Sequence, residues 1–339
     1  MFPSTEPAAV RIAREFREAV NAQLDAQMFE LGQRWLQIEY ELQSRVDALI
    51  LEIMNAQQDG KTINPNTITQ LERYRALRDQ AHDEIMRYEN YIESVISQGQ
   101  KTFALQGLDV GRETIIALFQ DVGIMGNFNI LNVGAIETMV GYLGNGAPLN
   151  TLLVEAFPYA WQGMSDKLIQ GIALGLSPRE TARRMFDGLG QGFNRLLTIS
   201  RTEQLRAYRQ ATIMQYRESG VVKGFRRLVA KQGACMACLM SDGEYFEVAE
   251  DFTDHPNGRC ACIAVLNGVP ERDWLKGEDW FRSLDEDQQR EIMGAEFHQA
   301  WQGGAFELSE LRSTAHSDIW GDSPATTPLK VLLGKVIAK

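Results

Sequence analysis

Along the first hundred positions, apolar residues recur in alternating steps of four and three. Leu24, Met28, Leu31, Trp35, Ile38, Leu42, Val46, Leu49, Ile53 and Ala56 form one such series, with a single extra step of four between Leu42 and Val46. Between residues 8 and 57 there is no proline and one glycine, Gly32. The spacing predicts a long helix with a coiled-coil-like seam and one stutter. The run from Asp59 to Pro65 breaks it, and a second seam follows at Tyr74, Leu77, Ala81, Ile85, Tyr88, Ile92 and Val95, ending near Gly99. Two long helices joined by a Gly/Pro turn are expected to fold back as an antiparallel hairpin, so residues 1–100 read as a helical arm. The wall of an ordinary helical bundle would show the same pattern.

Beyond the seams the texture changes twice. Residues 122–154 contain one charge, Glu137, with six glycines and five asparagines among Ile, Leu, Met and Phe, which predicts short buried helices rather than a membrane-active segment. A helix is expected over 152–174, and Ser177-Pro178-Arg179-Glu180 has the signature of a helix start, with Ser177 as N-cap and Glu180 completing a capping box. Residues 195–217 predict a further helix, closed by Gly220. From there ValValLysGlyPheArgArgLeu and the Asp242-Gly243 turn signal point to a small β-element. Helix returns at 285–301, and the tail from 323 reads as loose. The fold class is therefore mainly α with a small β-element (α+β), divided into 1–100, 101–194, 195–322 and 323–339.

Composition narrows the function classes. The chain has 339 residues, 44% hydrophobic, with 34 Lys and Arg against 45 Asp and Glu and a net charge of −11, so any nucleic-acid contact must be local. The opening residues show neither a basic nor an apolar leader region, and no long apolar run appears, which argues against secretion and membrane insertion. All four cysteines lie within Cys235–Cys262, a clustering that suits a metal site in a reducing compartment.

That cluster is the strongest chemical signal. Cys235-x-x-Cys238 is followed, after sixteen residues, by His255-Pro-Asn-Gly-Arg-Cys260-Ala-Cys262. A Cys-x-x-Cys turn presents two thiolates to one tetrahedral ion, and a distant His and Cys complete the shell, as in structural zinc sites that staple small β-elements. Cys235, Cys238, His255 and Cys260 are the preferred set, with Cys262 as a spare. Three other readings compete. The cysteines can be reduced and packed as small hydrophobes. A thioredoxin-type redox pair would need a strand-helix context that is missing here. An HNH-like metal-dependent nuclease could use Asp254 and His255, although Asn267 and His298 fit its further requirements poorly.

A second signal is charge. Residues 195–232 hold nine basic residues against Glu203 and Glu218, a local excess of +7. Arg206, Arg209, Arg226 and Arg227 are the candidate contacts, meeting either DNA phosphates or an acidic protein surface. The alternative is a solvated face balanced by residues 1–150, which hold 20 acids and 12 bases.

The order of short motifs resembles a known family. Ser200-Arg201-Thr202-Glu203, Tyr208, Ala211, Gly220-Val221, Cys235-x-x-Cys238, Asp242-Gly243 and His255-Pro256-Asn257-Gly-Arg-Cys260 follow the order of the phage Mu F-like minor head proteins, also called head morphogenesis proteins. Glu278-Asp279-Trp280-Phe281, Ile292-Met293-Gly294, Gly303-Gly304 and the run from Phe306 to Leu311 are similar too, so the resemblance covers residues 152–311. It implies a non-enzymatic virion component of a tailed phage or prophage, a minor capsid protein near the portal vertex. Such a protein acts in head assembly, DNA packaging or early genome ejection, and is present in the host cytoplasm during assembly. Its implied partners are the portal protein and the major capsid or scaffolding protein, with a possible viral DNA contact. Gly258 departs from the pattern, because many members have a Cys there; only Cys260 maps onto the family motif, and Cys262 is left as a local substitute.

Overall fold

The computed structural model describes residues 6–143, 145–174 and 176–337. In chain order the elements begin with α1 (Ala8–Gln58), α2 (Pro65–Ile68) and α3 (Glu72–Asp121), then a 3-10 helix at Val133–Met139, α4 (Asn150–Ala173) and α5 (Pro178–Ser219). Next come β1 (Val222–Leu228), α6 (Met236–Leu239), β2 (Tyr245–Glu247) and β3 (Ala261–Leu266). The chain continues through α7 (Gly277–Arg282), α8 (Glu286–Met293), α9 (Ala295–Gln302) and a 3-10 turn at Leu308–Leu311, then β4 (Arg312–Ser317), β5 (Gly321–Thr326) and α10 (Leu329–Ile337). The class is α+β, as expected. Among the described residues no helix is long and apolar enough to cross a membrane.

The chain folds into two compact units. One comprises Leu24–Gln98 and Gly141–Arg201. Here the two seams meet: Leu24, Leu31, Trp35, Leu42, Val46 and Leu49 of α1 and Leu77, Ala81, Ile85, Tyr88 and Ile92 of α3 are buried. The pairing is antiparallel, since Arg73 reaches Glu52 at 3.4 Å while the Tyr88 hydroxyl donates to the Leu31 carbonyl at 2.8 Å. Near its end the α3 seam uses Ile96 in place of Val95. The turn between the helices follows from Gly60, at φ 75°, and from Asn64, whose side chain accepts from the Thr67 amide at 3.1 Å.

The hairpin is not a separate arm. Trp35 stacks on Phe193 of α5 with centroids 5.0 Å apart, and Tyr74 of α3 shares a hydrogen bond with Ser165 of α4 at 3.1 Å. Of the two readings of the seams, the bundle wall describes this unit. The expected break between residues 177–194 and 195–217 is also absent, because α5 runs unbroken through three glycines. Gly188 lies against the backbone of Gly163 in α4, so the close helix crossing offsets the weak helix propensity of this stretch.

The other unit comprises Met1–Gln23, Gly99–Val140 and Thr202–Lys339. Helix α3 runs past the expected stop at Gly99, and its glycines serve packing instead. Gly99, Gly107 and Gly111 face Gln204, Tyr208 and Gln215 of α5 so closely that a Cβ at Gly107 would collide with the Tyr208 carbonyl. Strands β2, β1 and β3 form an antiparallel sheet in that spatial order, with Phe225 opposite Phe246 and Arg227 opposite Cys262. Ile115, Ile213, Tyr216, Phe225 and Cys262 share one buried cluster, while Cys238, Leu239, Cys260, Phe281, Leu308 and Leu311 share another.

Three local expectations change. Residues 122–132 are an open loop rather than buried helices, with Ile124, Met125 and Ile130 exposed, and the 3-10 turn that follows buries Ile136 and Met139. Glycine and asparagine at this density do not nucleate α-helix. The helix expected at 285–301 is split at Gly294, at φ 89°. The tail read as loose supplies β5, paired along its length with β4, and α10, which buries Leu332.

Candidate metal centre

The cysteine turn and the histidine loop meet at the edge of the sheet. Cys235 stands at the N-cap of α6 and Cys238 lies within that single helical turn, so both sulfurs face the same side. The loop before β3 brings in His255, whose Nε2 is 3.6 Å from the Cys235 Sγ. Cys235, Cys238 and His255 form one group whose ligand atoms all lie within 4.8 Å of one another, and Cys238, Asp254 and Cys260 form a second. Cys235, Cys238, His255 and Cys260 all line one cavity of about 50 Å³. That volume has room for a metal ion or a few waters.

The donor set fits a metal ion on two counts. In a tetrahedral site with ordinary zinc–sulfur and zinc–nitrogen distances, neighbouring S and N ligands sit about 3.6 Å apart, which is the Cys235–His255 separation. His255 is also oriented for ligation. Its Nδ1 lies 2.8 Å from the Pro256 carbonyl, which can only accept, so Nδ1 carries the proton and Nε2 is the free donor facing Cys235. Without metal the thiols and imidazole share protons. Hydrogen bonding from Cys238, helped by His255, lowers the Cys235 pKa to about 4, and the bond to Cys235 raises His255 to about 9. Cys238 is pushed far up, first by its bond to Cys235 and then by Cys260.

Cys262, the expected spare, belongs to neither group. It sits in β3 opposite Arg227, packs with Tyr216 and Phe225 and, through burial, has its pKa raised to about 12. Only Ala261 separates it from Cys260, but the strand commits it to the other core.

Asp254 holds the loop together. Its side chain is fully buried, accepts from the amides of His255 at 3.1 Å and Cys260 at 3.2 Å, and pairs with Arg209 at 3.5 Å and Arg227 at 3.6 Å. The water-activating role that a nuclease would give it requires a carboxylate open to solvent, whereas this one is enclosed by four donors. His298 hydrogen-bonds Gln289 and stands edge-on to Trp301. Gly258 is needed beside Asp254, because a Cβ there would collide with the carboxylate.

The four candidate contact arginines are engaged within the chain. Arg209 is buried, and besides Asp254 it donates to the Gly258 carbonyl at 3.0 Å. Arg227, 1% exposed, donates to the Thr253 carbonyl at 2.8 Å and lies over the Phe252 ring at 4.3 Å. Burial opposes its charge, but Cys260 and Asp254 outweigh burial and raise its pKa. Arg206 pairs with the buried Glu203 at 2.7 Å, and Arg226 pairs with Glu271. As phosphate or partner contacts, Arg209 and Arg227 are therefore corrected to internal counter-ions of Asp254.

Sequence reasoning missed what helix α5 does for the loop. Thr202 accepts from the Asn257 amide at 3.1 Å, and Arg209 lies two turns further along the same helix. Asn257 has φ 63°, the one positive value at a non-glycine among the described residues. The Asn-Gly pair was the available signal, since it marks a turn with left-handed backbone. Glu203 accepts from the Trp320 indole at 2.9 Å, a contact that no local pattern announces.

Residues 162–267 match the family of phage Mu protein F like proteins. No curated protein matches the chain, and no solved structure does. The matched stretch contains α5 from residue 178 onward, the three-stranded sheet and all five Cys and His residues of the cluster.

Proposed function

We propose that this chain is a head morphogenesis protein of a tailed bacteriophage or prophage, a minor head component that works at the portal vertex and has no catalytic role. The observation that carries the reading is coincidence of place. The family match covers the helix, sheet and loop that the Asp254 and Thr202 contacts tie into one module. Its partners are protein surfaces, the portal foremost and then the capsid or scaffolding protein. Viral DNA is a weaker candidate, because Arg206, Arg209, Arg226 and Arg227 already have carboxylate partners. The protein belongs to the virion, after assembly in the host cytoplasm.

In this reading the metal is zinc, held by Cys235, Cys238, His255 and Cys260. Bound zinc supplies a cross-link between the α6 turn and the loop that leads into β3. The rest of the work falls to the chain: Pro256 fixes the histidine tautomer, Asp254 positions the loop amides, and α5 braces the loop from behind.

The test is co-expression with the portal protein of the same phage, followed by purification and metal analysis. A stable complex with about one zinc per chain, lost in Cys238→Ser while the first unit stays helical, is the expected result. A chain that ignores the portal, or that cuts DNA in a metal-dependent way sensitive to His255→Ala, would overturn it.

A further inference from the structure

The unit formed by Leu24–Gln98 and Gly141–Arg201 has a cavity of about 470 Å³ between α3 and α4. Arg78, His82, Ile85 and Glu89 follow one another along α3 at steps of four, three and four, so they share one helix face, and Val154 and Trp161 of α4 stand opposite, two turns apart. Tyr74 holds Trp161 in place, with ring centroids 5.8 Å apart. The walls are mostly apolar, and the exposed Met86 and Val154 leave the cavity open to solvent. An apolar space of this size between the helices of a bundle, with a few polar groups in its lining, suits a small organic group. Its distinctive polar group is Glu89, which is 5% exposed and, among the described residues, neither accepts a hydrogen bond nor pairs with a cation. Burial raises its pKa, and Glu93 one turn further on adds to the rise. A buried carboxyl without a partner is costly. Arg78 lines the same cavity but does not meet that cost: it lies about 16 Å away along the helix and pairs with its neighbour Asp79 at 2.7 Å. His82 is exposed and carries no ion pair among the described residues.

We propose that the cavity between α3 and α4 binds an alkyl ammonium group, with Glu89 accepting hydrogen bonds from the cation and Ile85, Met86, Val154 and Trp161 packing its stem. The ammonium supplies the charge-assisted donors that the fold itself withholds from Glu89, and the stem covers apolar surface that water now wets. Two sources carry this chemistry, a free alkylamine and the lysine side chain of a protein partner. The site lies outside the Cys and His cluster and depends neither on its metal nor on the portal.

The full chain is titrated with hexylammonium chloride and with N-acetyl-lysine methylamide, followed by tryptophan emission with Trp161→Phe as the blank. Hexanol and hexanoate are the uncharged and anionic controls. Saturable binding of an ammonium probe, about tenfold tighter than hexanol and with hexanoate weakest, is the expected result. Glu89→Gln should stay folded and lose that preference for the cation, with Glu89→Asp in between. Tighter binding of hexylammonium assigns the site to free alkylamines, and tighter binding of the lysine amide assigns it to a protein side chain. Hexanol binding as tightly as the ammonium probes overturns the proposal and leaves a plain apolar slot. Wild-type ammonium binding by Glu89→Gln overturns it too, as does a chain that binds none of the probes. Should Glu89→Gln fail to fold, the wild-type ranking of cation, neutral and anion decides alone.

Discussion

Replacing Asp254 with Asn tests whether the loop is a structural staple or a reaction centre. The carboxylate serves two backbone amides and two guanidinium groups, and its side chain has no exposed surface. Asparagine keeps the shape and one acceptor oxygen but turns a donor amide toward groups that can only donate. Breaking one buried ion pair by removing a partner costs about 3 to 5 kcal/mol, since the charge left behind stays buried. Arg227 is 1% exposed and Arg209 5%, so water offers little relief. Each amide left without an acceptor adds about 1 to 3 kcal/mol, partly overlapping with the first cost. A loss of about 3 kcal/mol or more is expected, a large share of the roughly 5 to 15 kcal/mol that holds an ordinary domain together. The assay is urea denaturation of zinc-loaded and chelated protein, repeated in an Arg227→Met background. There the same change should cost less, because one of the stranded charges is gone. An Asp254→Asn chain with the wild-type urea midpoint would refute the reasoning. Full stability with a lost DNA-cleaving activity would point to the nuclease instead.

The remaining predictions concern packing and pH. Gly107→Ala should destabilise by about 1 to 2 kcal/mol, because overpacking against the Tyr208 backbone exceeds the gain in helix propensity. Gly190→Ala, with open space around it, should stabilise by about 0.5 to 1 kcal/mol; thermal melts of both that shift in the same direction would count against the close α3–α5 crossing. Leu31→Asp, at a fully buried seam position, should cost about 2 to 4 kcal/mol and lower helicity, and an unchanged circular-dichroism melt would mean the seam is not a core. His255 must lose the proton it holds up to about pH 9 before Nε2 can bind metal, so zinc affinity measured by competition should fall steadily as pH drops below that value. In the metal-free chain the Cys235 thiolate is favoured by the fold above its lowered pKa, and its ultraviolet absorption should persist down to about pH 4.

Much of this architecture was legible because it follows from periodicity. The seams at Leu31, Trp35 and Leu42 and at Leu77, Ala81 and Ile85 mark the faces that meet, and Ser177 marks a helix start, with its hydroxyl accepting from the Glu180 amide at 3.3 Å. The illegible parts are those where a distant backbone overrides local preference. Gly188 and Gly107 lower the local helix propensity, yet each sits inside a long helix because another helix passes too close for a side chain. The tail from 323 looked loose because β5 and α10 draw their stability from β4 and from the cluster around Leu308, neither of which is visible within a short window.

The basic stretch shows why composition misled at the site. An excess of +7 over residues 195–232 is a property of the sequence, but charge seeks compensation in space. Arg209 and Arg227 come from a helix and a strand and converge on one carboxylate, while Arg206 and Arg226 find Glu203 and Glu271. Asp254 could be recognised as a candidate from Asp-His-Pro, but its role depends on donors that lie 27 and 45 positions upstream. The same logic separates Cys260 from Cys262. Spacing makes them near equivalents, whereas the start of β3 at Ala261 leaves Cys260 on the loop with Cys238 and carries Cys262 into the sheet. A motif can name the residue types able to hold a metal, but where the strand begins decides which of them reach it.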